Sequence, residues 1–413
     1  MARNAASSSR TPSPYTPRFV SRLFHRLHLP TNLTWSSLIE AFHNAPTSNV
    51  FIVSIAKGHV RTTALRSSRL DCTQVHGRPS SHWRCGFDAW QRFKRFEYYL
   101  YYAAQEQHGR PALPDLLLLV DMDEVADAML TDSRGSSLPK FGTGRSSCGG
   151  SIPVPFPVKG FGALDLLEKL KHAGDGWRRE LVPWARRERR ALWRGCSRRF
   201  SSDSCVPFGA NWSLHPRSRL VALGAREPAL LDAAFTAHDQ HMPQRLGFKL
   251  SGGRPLAASM PFTGMSAYRY LLAVDGHGWQ ASLASKLMLG SVVVSVRSRY
   301  PLWFEGLLRH GEHVVRVSPG LTDLPAAVRG LQADDTAARR IARRGAAQIE
   351  LLLTEQHLVG YVRQLLEQYA THFVADAAAP SALRLYHSLC REKQRFFCTH
   401  SWPGRPPQFD SRS

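Results

Sequence analysis

The sequence predicts an α/β protein with two halves, and three observations carry this prediction. At 413 residues the chain exceeds the size at which a single hydrophobic core normally stops growing. Apolar runs around residues 116–120 and 292–296 have the length of buried strands, as in a parallel sheet. A third apolar strand, residues 270–274, leads through the turn Asp-Gly-His-Gly into a short helix. Such a turn either presents backbone N–H groups to a phosphate or simply connects two elements.

The first half combines strands with one long helix. Residues 49–54 and 114–120 are predicted strands, because short apolar runs there are bounded by turn residues. Residues 87–107 carry aromatic side chains that recur with helical spacing, which predicts an amphipathic helix. Residues 133–162 are dense in Gly, Ser and Pro and are predicted to form a long loop beside a cleft. This half is predicted to close near Gly174.

The second half alternates predicted strands with predicted helices, which is typical of a sheet built from crossover units. Strands are predicted at residues 190–193, 220–223, 270–274, 292–296 and 313–317. Helices are predicted at residues 281–289, 323–331, 336–353 and 354–369.

The chain is strongly basic. Its 54 basic and 32 acidic residues give a net charge of +22, which raises nucleic acid or an anionic surface as partners. The excess is mostly Arg and is spread along the chain, without zinc-finger spacing, a basic zipper or an RNP-like aromatic motif. Specific nucleic-acid binding is therefore not expected. No apolar run approaches the length of a membrane-spanning helix, so no transmembrane segment is expected.

Signals for the cellular compartment are mixed. Residues 1–30 contain no acidic residue and lack the apolar core of a secretory signal, so a disordered or leader arm is expected there. Seven cysteines leave at least one thiol free. In a secretory lumen three pairs are close enough to bridge, although unpaired thiols fit equally well. These pairs are Cys72 with Cys85, Cys196 with Cys205, and Cys390 with Cys398. Glycan sequons occur at Asn32 and Asn211.

Several short sequence blocks follow one another over some two hundred and fifty residues, from about Pro114 to Tyr369. They are Pro183-Trp184, Trp193-Arg194-Gly195, Asp275-Gly276, Gly290-Ser291 and Trp303-Phe304. In content and order they resemble the capsule-associated and protein O-glucosyltransferase family, the Rumi-type glycosyltransferases of family 90. No single block is diagnostic, but their order is specific.

The resemblance implies an α/β fold of the GT-B type, with two Rossmann-like domains facing a cleft and a C-terminal helix that crosses back. The expected divisions are a disordered or leader arm over 1–43, an acceptor-side domain over 44–175, a nucleotide-sugar domain over 176–353, and a crossing helix with a polar tail over 354–413. The family transfers glucose or xylose from a UDP-sugar to a hydroxyl of a protein or polysaccharide, with inversion and without a metal cofactor. By resemblance the compartment is the lumen of the endoplasmic reticulum or Golgi.

The catalytic base is expected just after the strand at 114–120. In the family it is the Asp of a pattern like Asn-x-x-Asp-x-Pro, whereas here Asp121 occupies the Asn place and Glu124 the Asp place. Asp123 is one residue short, yet a turn absorbs such a shift, so Asp123 is favoured over Glu124. Two other interpretations remain open: Asp121-Met122-Asp123 as a metal-binding Asp-x-Asp of the GT-A type, or a helix cap.

The departing diphosphate needs Arg side chains and backbone N–H donors. By resemblance, Arg194 and Gly195 end a strand at the cleft, and Arg217, with Arg219 as fallback, supplies a second guanidinium. Asp275, Gly276 and Gly278 match the turn of the family.

Two further positions after this turn carry donor-binding predictions. Ser282 stands where the family usually has an Arg that meets the diphosphate, and Lys286, one helical turn on, is expected to reach over from the same face. Ser291 resembles the Ser of the family's Gly-Ser block. The missing Arg and the altered base pattern favour one alternative: an inactive transferase scaffold that binds glycans or nucleic acid through its basic surface.

Overall fold

The computed structural model describes most of the second half of the chain and selected elements of the first. The described residues are 17–27, 32–43, 50–56, 58–65, 87–105, 111–122, 130–131, 138–144, 151–155, 176–198, 211–239, 242–276, 278–374 and 396–399. Within them the protein is α/β, with two separate sheets.

Eleven strands lie in the described part of the chain. They are β1 Val50–Ala56, β2 His59–Leu65, β3 Leu116–Asp121, β4 Lys140–Gly142, β5 Ser151–Pro153, β6 Glu188–Cys196, β7 Leu231–Ala237, β8 Tyr268–Ala273, β9 Val292–Val296, β10 Val315–Val317 and β11 Phe396–Thr399.

Ten α-helices are described with them. They are α1 Pro17–Leu27, α2 Trp35–His43, α3 Phe87–Ala104, α4 Gly176–Arg179, α5 Pro216–Arg226, α6 Gln244–Leu250, α7 Leu283–Met288, α8 Leu324–Ala333, α9 Asp335–Leu352 and α10 Glu355–Ala370. Within this set no helix is long and apolar enough to cross a membrane.

The second sheet is parallel throughout, and its strands lie in the order β10-β9-β8-β6-β7. Counted from its first strand, this is the doubly wound order 2-1-3-4-5. The order reverses between β6 and β8, and in such sheets ligands bind at the carboxyl ends of the two strands that flank the reversal. The alternation of strands and helices predicted for this half is confirmed.

One strand of the second half was predicted in the wrong place. Residues 220–223 lie inside α5, where Pro216 occupies the first turn and Leu220, Val221 and Gly224 form the buried face. The strand is instead β7, in which Leu231, Ala233 and Phe235 point inward and alternate with more exposed residues. Its alanines have low β propensity, so this period-2 pattern is weak in the sequence.

The first sheet is mixed, in the order β11-β2-β1-β3-β4-β5, and so differs from the Rossmann-like sheet expected there. β1 and β2 are antiparallel neighbours joined by a turn in which Gly58 has φ +76°, and a hairpin of this kind replaces a crossover helix. β3, β4 and β5 are parallel to one another. β4 and β5 lie within the predicted loop 133–162, so part of that stretch is sheet.

Two helices lie in the stretch 1–43, for which a disordered or leader arm is the prediction. Helices α1 and α2 bury Val20, Phe24 and Leu38 in the same hydrophobic core as the first sheet. In α1, Val20 and Phe24 are four residues apart and therefore lie on one face of the helix. Near the other end, β11 pairs with β2 inside the stretch expected to be a crossing helix and polar tail.

Helix α10 packs against the first half of the chain. Tyr361 donates to the Pro153 carbonyl at 2.9 Å and Tyr369 to the Leu117 carbonyl at 3.2 Å. Arg363 donates to the Ala103 carbonyl at 3.0 Å. The last helix of the described C-terminal region is thereby held on helix α3 and on two strands of the first sheet.

Candidate functional site

Arg217 spans the point at which the strand order of the second sheet reverses. It lies in the first turn of α5. Its Nη1 donates to the Cys196 carbonyl, at the end of β6, at 2.8 Å, and its Nε donates to the Asp275 carbonyl, just after β8, at 2.8 Å. The guanidinium thus fills the crevice between the two strand ends at which a doubly wound sheet binds its ligand.

The small residues around Arg217 let its side chain sit deep in the crevice. A methyl group at Gly276 would lie 2.8 Å from Nη2 of Arg217. A methyl group at Gly195 would lie 2.9 Å from the ring of Trp193, and Arg217 stands 5.7 Å from that ring's centre. Glycine at both positions therefore permits the close approach of backbone, indole and guanidinium.

Asp275 is buried at the same strand end. Its Oδ2 accepts the Arg299 N–H at 3.0 Å. Burial raises the pKa of Asp275 to about 6, against hydrogen bonds from Ser298, Arg299 and Gln280 and the charge of Arg217. The carboxylate therefore titrates close to neutral pH.

Lys286 is a second cation in this region. It lies on α7, is 5% exposed, and donates from Nζ to the Leu272 carbonyl at 2.7 Å. Burial, with a smaller contribution from the charge of Arg217, lowers the pKa of Lys286 to about 7. Two cations that repel one another in a buried crevice favour an anion between them.

Glu305 completes the buried charge cluster and was not among the residues predicted from the sequence. Its Oε1 accepts the Leu302 N–H at 2.8 Å, and its Oε2 lies 3.7 Å from Nη1 of Arg316. Burial raises the pKa of Glu305 to about 7, and the charge of Asp275 adds to the rise. A lone acid inside the apolar block at Trp303-Phe304 was the signal available in the sequence.

The first sheet meets this edge of the second sheet. Arg92 of α3 donates from Nη1 to the Met122 carbonyl, just past β3, at 2.9 Å. The same guanidinium lies 5.5 Å from the centre of the Trp279 ring, in the turn that follows β8. Beyond β4, a methyl group at Gly144 would lie 3.6 Å from the Tyr300 carbonyl oxygen. The carboxyl ends of β3 and β4 therefore face those of β8 and β9.

A buried polar and cationic crevice between two facing strand edges can bind an anionic group and exclude water from it. Comparison with known proteins bears on which group that is. The profile of glycosyl transferase family 90 matches residues 165–397, which is more than half of the chain. The chain belongs to glycosyl transferase family 90.

Named relatives of this family 90 chain include protein O-glucosyltransferases. Protein O-glucosyltransferase 3 of Rattus norvegicus is 32% identical over 171 residues, which is 41% of this chain and 32% of the relative. Protein O-glucosyltransferase 1 of Homo sapiens is 25% identical over 223 residues, which is 54% of this chain and 51% of the relative. The chain thus spans about half, or less, of the length of these relatives.

Arg194 lies apart from the Arg217 crevice, although both were predicted to bind the donor. Its guanidinium donates to the Asp232 carboxylate at 2.8 Å and to the Asp232 carbonyl at 2.8 Å. Tyr268 donates to the same carboxylate at 2.5 Å. Burial opposes ionisation of Asp232, but the hydrogen bonds from Tyr268 and Arg194 outweigh it and hold its pKa below its ordinary value. Arg194 is therefore engaged in a half-buried ion pair in the family 90 chain.

The remaining predicted donor residues divide between the two edges of the sheet. Gly278 is buried in the turn after β8, and Ser282 lies directly before α7, where its carbonyl accepts the Lys286 N–H at 3.0 Å. Ser291 is at the amino end of β9, opposite the crevice, and its hydroxyl donates to the Tyr268 carbonyl at 2.8 Å. Arg187 donates to that hydroxyl at 2.9 Å. The structure brings Gly278 and Ser282 to the site, and leaves Ser291 outside it.

The segment predicted to hold the catalytic base is described only as far as Met122. Asp123 and Glu124 lie outside the described residues. Asp121 is 1% exposed, and its carboxylate pairs with Lys140 of β4 at 2.7 Å. A carboxylate fixed in this way is a poor metal ligand, which disfavours Asp121-Met122-Asp123 as an Asp-x-Asp motif. Cys196 has no disulfide partner among the described residues, and Cys205, its suggested partner, lies outside them.

Proposed function

We propose that this family 90 chain is a glycosyltransferase that moves a sugar from a UDP-sugar to a hydroxyl group of a protein or glycan, with inversion and without a metal. The observation that carries the proposal is the position of Arg217 across the reversal point, next to the buried Lys286. The names of the relatives, protein O-glucosyltransferases 1 and 3, support glucose as a donor sugar and protein as an acceptor. Xylose remains the second sugar to test.

In the proposed site the diphosphate lies between Arg217 and Lys286. An anion between the two cations screens the repulsion between them. Because water is excluded from the site, the electrostatic contacts of the anion with both side chains are stronger. Lys286 takes the place of the Arg that the sequence lacks at Ser282. No metal ion is needed here, because two protein cations face the leaving group.

In the proposed reaction a carboxylate takes the proton of the acceptor hydroxyl while its oxygen attacks the anomeric carbon. The bond from that carbon to the diphosphate breaks, and UDP leaves with its new charge facing Arg217 and Lys286. Asp123, with Glu124 as the second choice, is the proposed base. It follows Met122, and the Met122 carbonyl is linked through Arg92 to the Trp279 ring.

We further propose a GT-B architecture. The facing carboxyl ends of β3, β4, β8 and β9 and the packing of α10 on the first sheet support it. On the same family relationship we propose that the protein works in the lumen of the endoplasmic reticulum or Golgi.

The second candidate function is a transferase-fold protein that binds anionic polymers without turnover. Four Arg side chains, at positions 339, 340, 343 and 344, are exposed on α9, and among the described residues none of them has an ion-pair partner. Two pairs of like charges four residues apart on a helix cost stability and favour an anionic partner.

A thermal-shift titration separates the two functions. UDP, UDP-glucose and UDP-xylose are added in EDTA to the wild type, to Arg217→Met and to the control Arg226→Met, an exposed Arg at the far end of α5. A ligand that binds only the folded state raises the melting temperature. We expect the ligands to raise the melting temperature of the wild type and the control, and not that of Arg217→Met. The sugar of the stabilising UDP-sugar should then be transferred to an acceptor in an activity assay. If no UDP species stabilises the wild type, the binding-protein function is favoured. Stabilisation that requires Mn²⁺ would contradict metal independence.

A further inference from the structure

Arg92 makes two contacts that belong to opposite sides of the cleft. Its Nη1 donates to the Met122 carbonyl at 2.9 Å, on the side of the first sheet. Its guanidinium lies 5.5 Å from the centre of the Trp279 ring, on the side of the second sheet. Its side chain thus joins the end of β3 to the turn after β8.

The helix that carries Arg92 is firmly fixed. Its neighbour Phe93 is fully buried and stacks on Phe51 of β1 with ring centres 4.2 Å apart. One turn later Phe96 is fully buried and stacks on Phe141 of β4 at 6.3 Å. The backbone of Arg92 therefore moves with the first sheet, and only its side chain reaches toward the second.

The chemistry of guanidinium suits this double contact. Its in-plane N–H groups donate to a carbonyl oxygen while its flat face lies against an aromatic ring. An ammonium group offers a point charge without a face, so lysine retains one contact more readily than both. The position thus makes use of what distinguishes Arg from Lys.

We propose that Arg92 is a positioning residue, which holds the end of β3 against the turn after β8 that belongs to the proposed donor site. This inference rests on the proposed function. The proposed base, Asp123, directly follows Met122 in sequence and lies outside the described residues; the contact at 2.9 Å restrains Met122, the last described residue before it. Misplacement of a catalytic group by about 1 Å costs on the order of a hundredfold in rate.

The test compares Arg92→Met and Arg92→Lys with the wild type in steady-state transfer, with the UDP-sugar concentration varied. We expect Arg92→Met to lower kcat by about tenfold or more while the donor KM changes by less than about threefold, because Arg92 contacts neither Arg217 nor Lys286. Arg92→Lys should be nearly as slow as Arg92→Met, because an ammonium keeps one contact and the link needs both. The control is Tyr98→Phe, which removes another long-range hydrogen bond of α3, to Glu355 at 2.6 Å, away from the cleft. A merely structural role would lower the melting temperature of Arg92→Met without this split in kcat and KM.

A double-mutant cycle with Trp279→Leu tests the contact itself. If the two side chains act as one link, the double variant is about as slow as the slower single variant. Losses that multiply, a loss confined to donor KM, or an Arg92→Lys variant as fast as the wild type would each overturn the proposal.

A second measurement distinguishes failure of this inference from failure of the proposed function. If the wild type turns over no UDP-sugar, hydrogen exchange of the peptides covering residues 116–122 and 278–284 replaces the kinetic test. Faster exchange of both peptides in Arg92→Met, with no change in Tyr98→Phe, supports the link, and a change in neither or only one of them overturns it.

Discussion

Removing Lys286 should make the protein more stable and at the same time poorer at binding its donor. The change is Lys286→Met, which keeps the length of the side chain and deletes the ammonium. In the folded protein burial lowers the pKa of Lys286 from 10.5 to about 7. The charged form is therefore disfavoured in the crevice when no ligand is present.

The size of the effect follows from linkage. A folded-state pKa below the unfolded value means that the unfolded chain binds the proton more tightly between pH 7 and 10.5. At pH 7 the resulting penalty on folding is about 4 kcal/mol, at about 1.4 kcal/mol for each pH unit between the two values. The lost hydrogen bond to the Leu272 carbonyl offsets about 1 kcal/mol. The net gain of about 3 kcal/mol corresponds to roughly 3–4 °C in Tm when all 413 residues unfold together.

The assay is thermal unfolding of the wild type and Lys286→Met from pH 7 to pH 10, with and without UDP. The stability advantage of the variant should be largest at pH 7 and shrink as pH approaches 10.5, because the unfolded chain then loses its proton too. UDP should stabilise the wild type and the control Lys249→Met, whose lysine is exposed, and should fail to stabilise Lys286→Met. A variant no more stable than the wild type at pH 7, or an advantage that does not shrink toward pH 10, would refute the reasoning.

Three further changes test neighbouring features. Gly276→Ala places a methyl group 2.8 Å from Nη2 of Arg217. Because the end of the Arg217 side chain is flexible and can move aside, we expect little change in Tm but about tenfold weaker UDP binding, measured by calorimetry. An unchanged affinity for UDP would contradict this prediction. Glu305→Gln should raise the free energy of unfolding by up to about 3 kcal/mol at pH 8 and leave it unchanged at pH 4.5. The reason is that burial raises the pKa of Glu305 to about 7, so the folded protein carries an unfavourable buried carboxylate only above that pH. Equal gains in urea unfolding at both pH values would exclude the ionisation of Glu305 as the cause. Lys140→Met should lower the free energy of unfolding in urea by about 3–5 kcal/mol, because the buried Asp121 loses its ion-pair partner. Adding Asp121→Leu to the same chain should restore part of that stability. A mild loss in Lys140→Met alone would show that the ion pair contributes little to stability.

The parts of the fold that the sequence predicts are those with a long apolar run. β3, β8 and β9 are buried on both faces, so their residues are apolar almost without interruption. β7 is rich in alanine, and β4 and β5 have three residues each, so neither pattern nor length distinguishes them from loops. The hairpin of β1 and β2 depends on a turn at Gly58, whereas the family resemblance implies a Rossmann-like first half.

The site divides in the same way. Arg217, Asp275 and Gly276 were found because they stand in blocks that the family shares, and the structure brings them together. Arg194 belongs to an equally clear block, yet its partner is Asp232 on the neighbouring strand, a pairing that no local spacing reveals. Arg92 and Glu305 owe their place to residues far away in sequence, so their importance emerges only once the strands are arranged in space.

The way in which α10 is fastened has a consequence for how the two halves vary. Tyr361, Arg363 and Tyr369 all donate to main-chain carbonyls of the first half, at Pro153, Ala103 and Leu117. Every residue type offers the same carbonyl, so these acceptors survive almost any side-chain replacement. These three hydrogen bonds therefore depend on three side chains of one helix, while the side chains of the first half at Pro153, Ala103 and Leu117 can change without loss of the carbonyls that receive them.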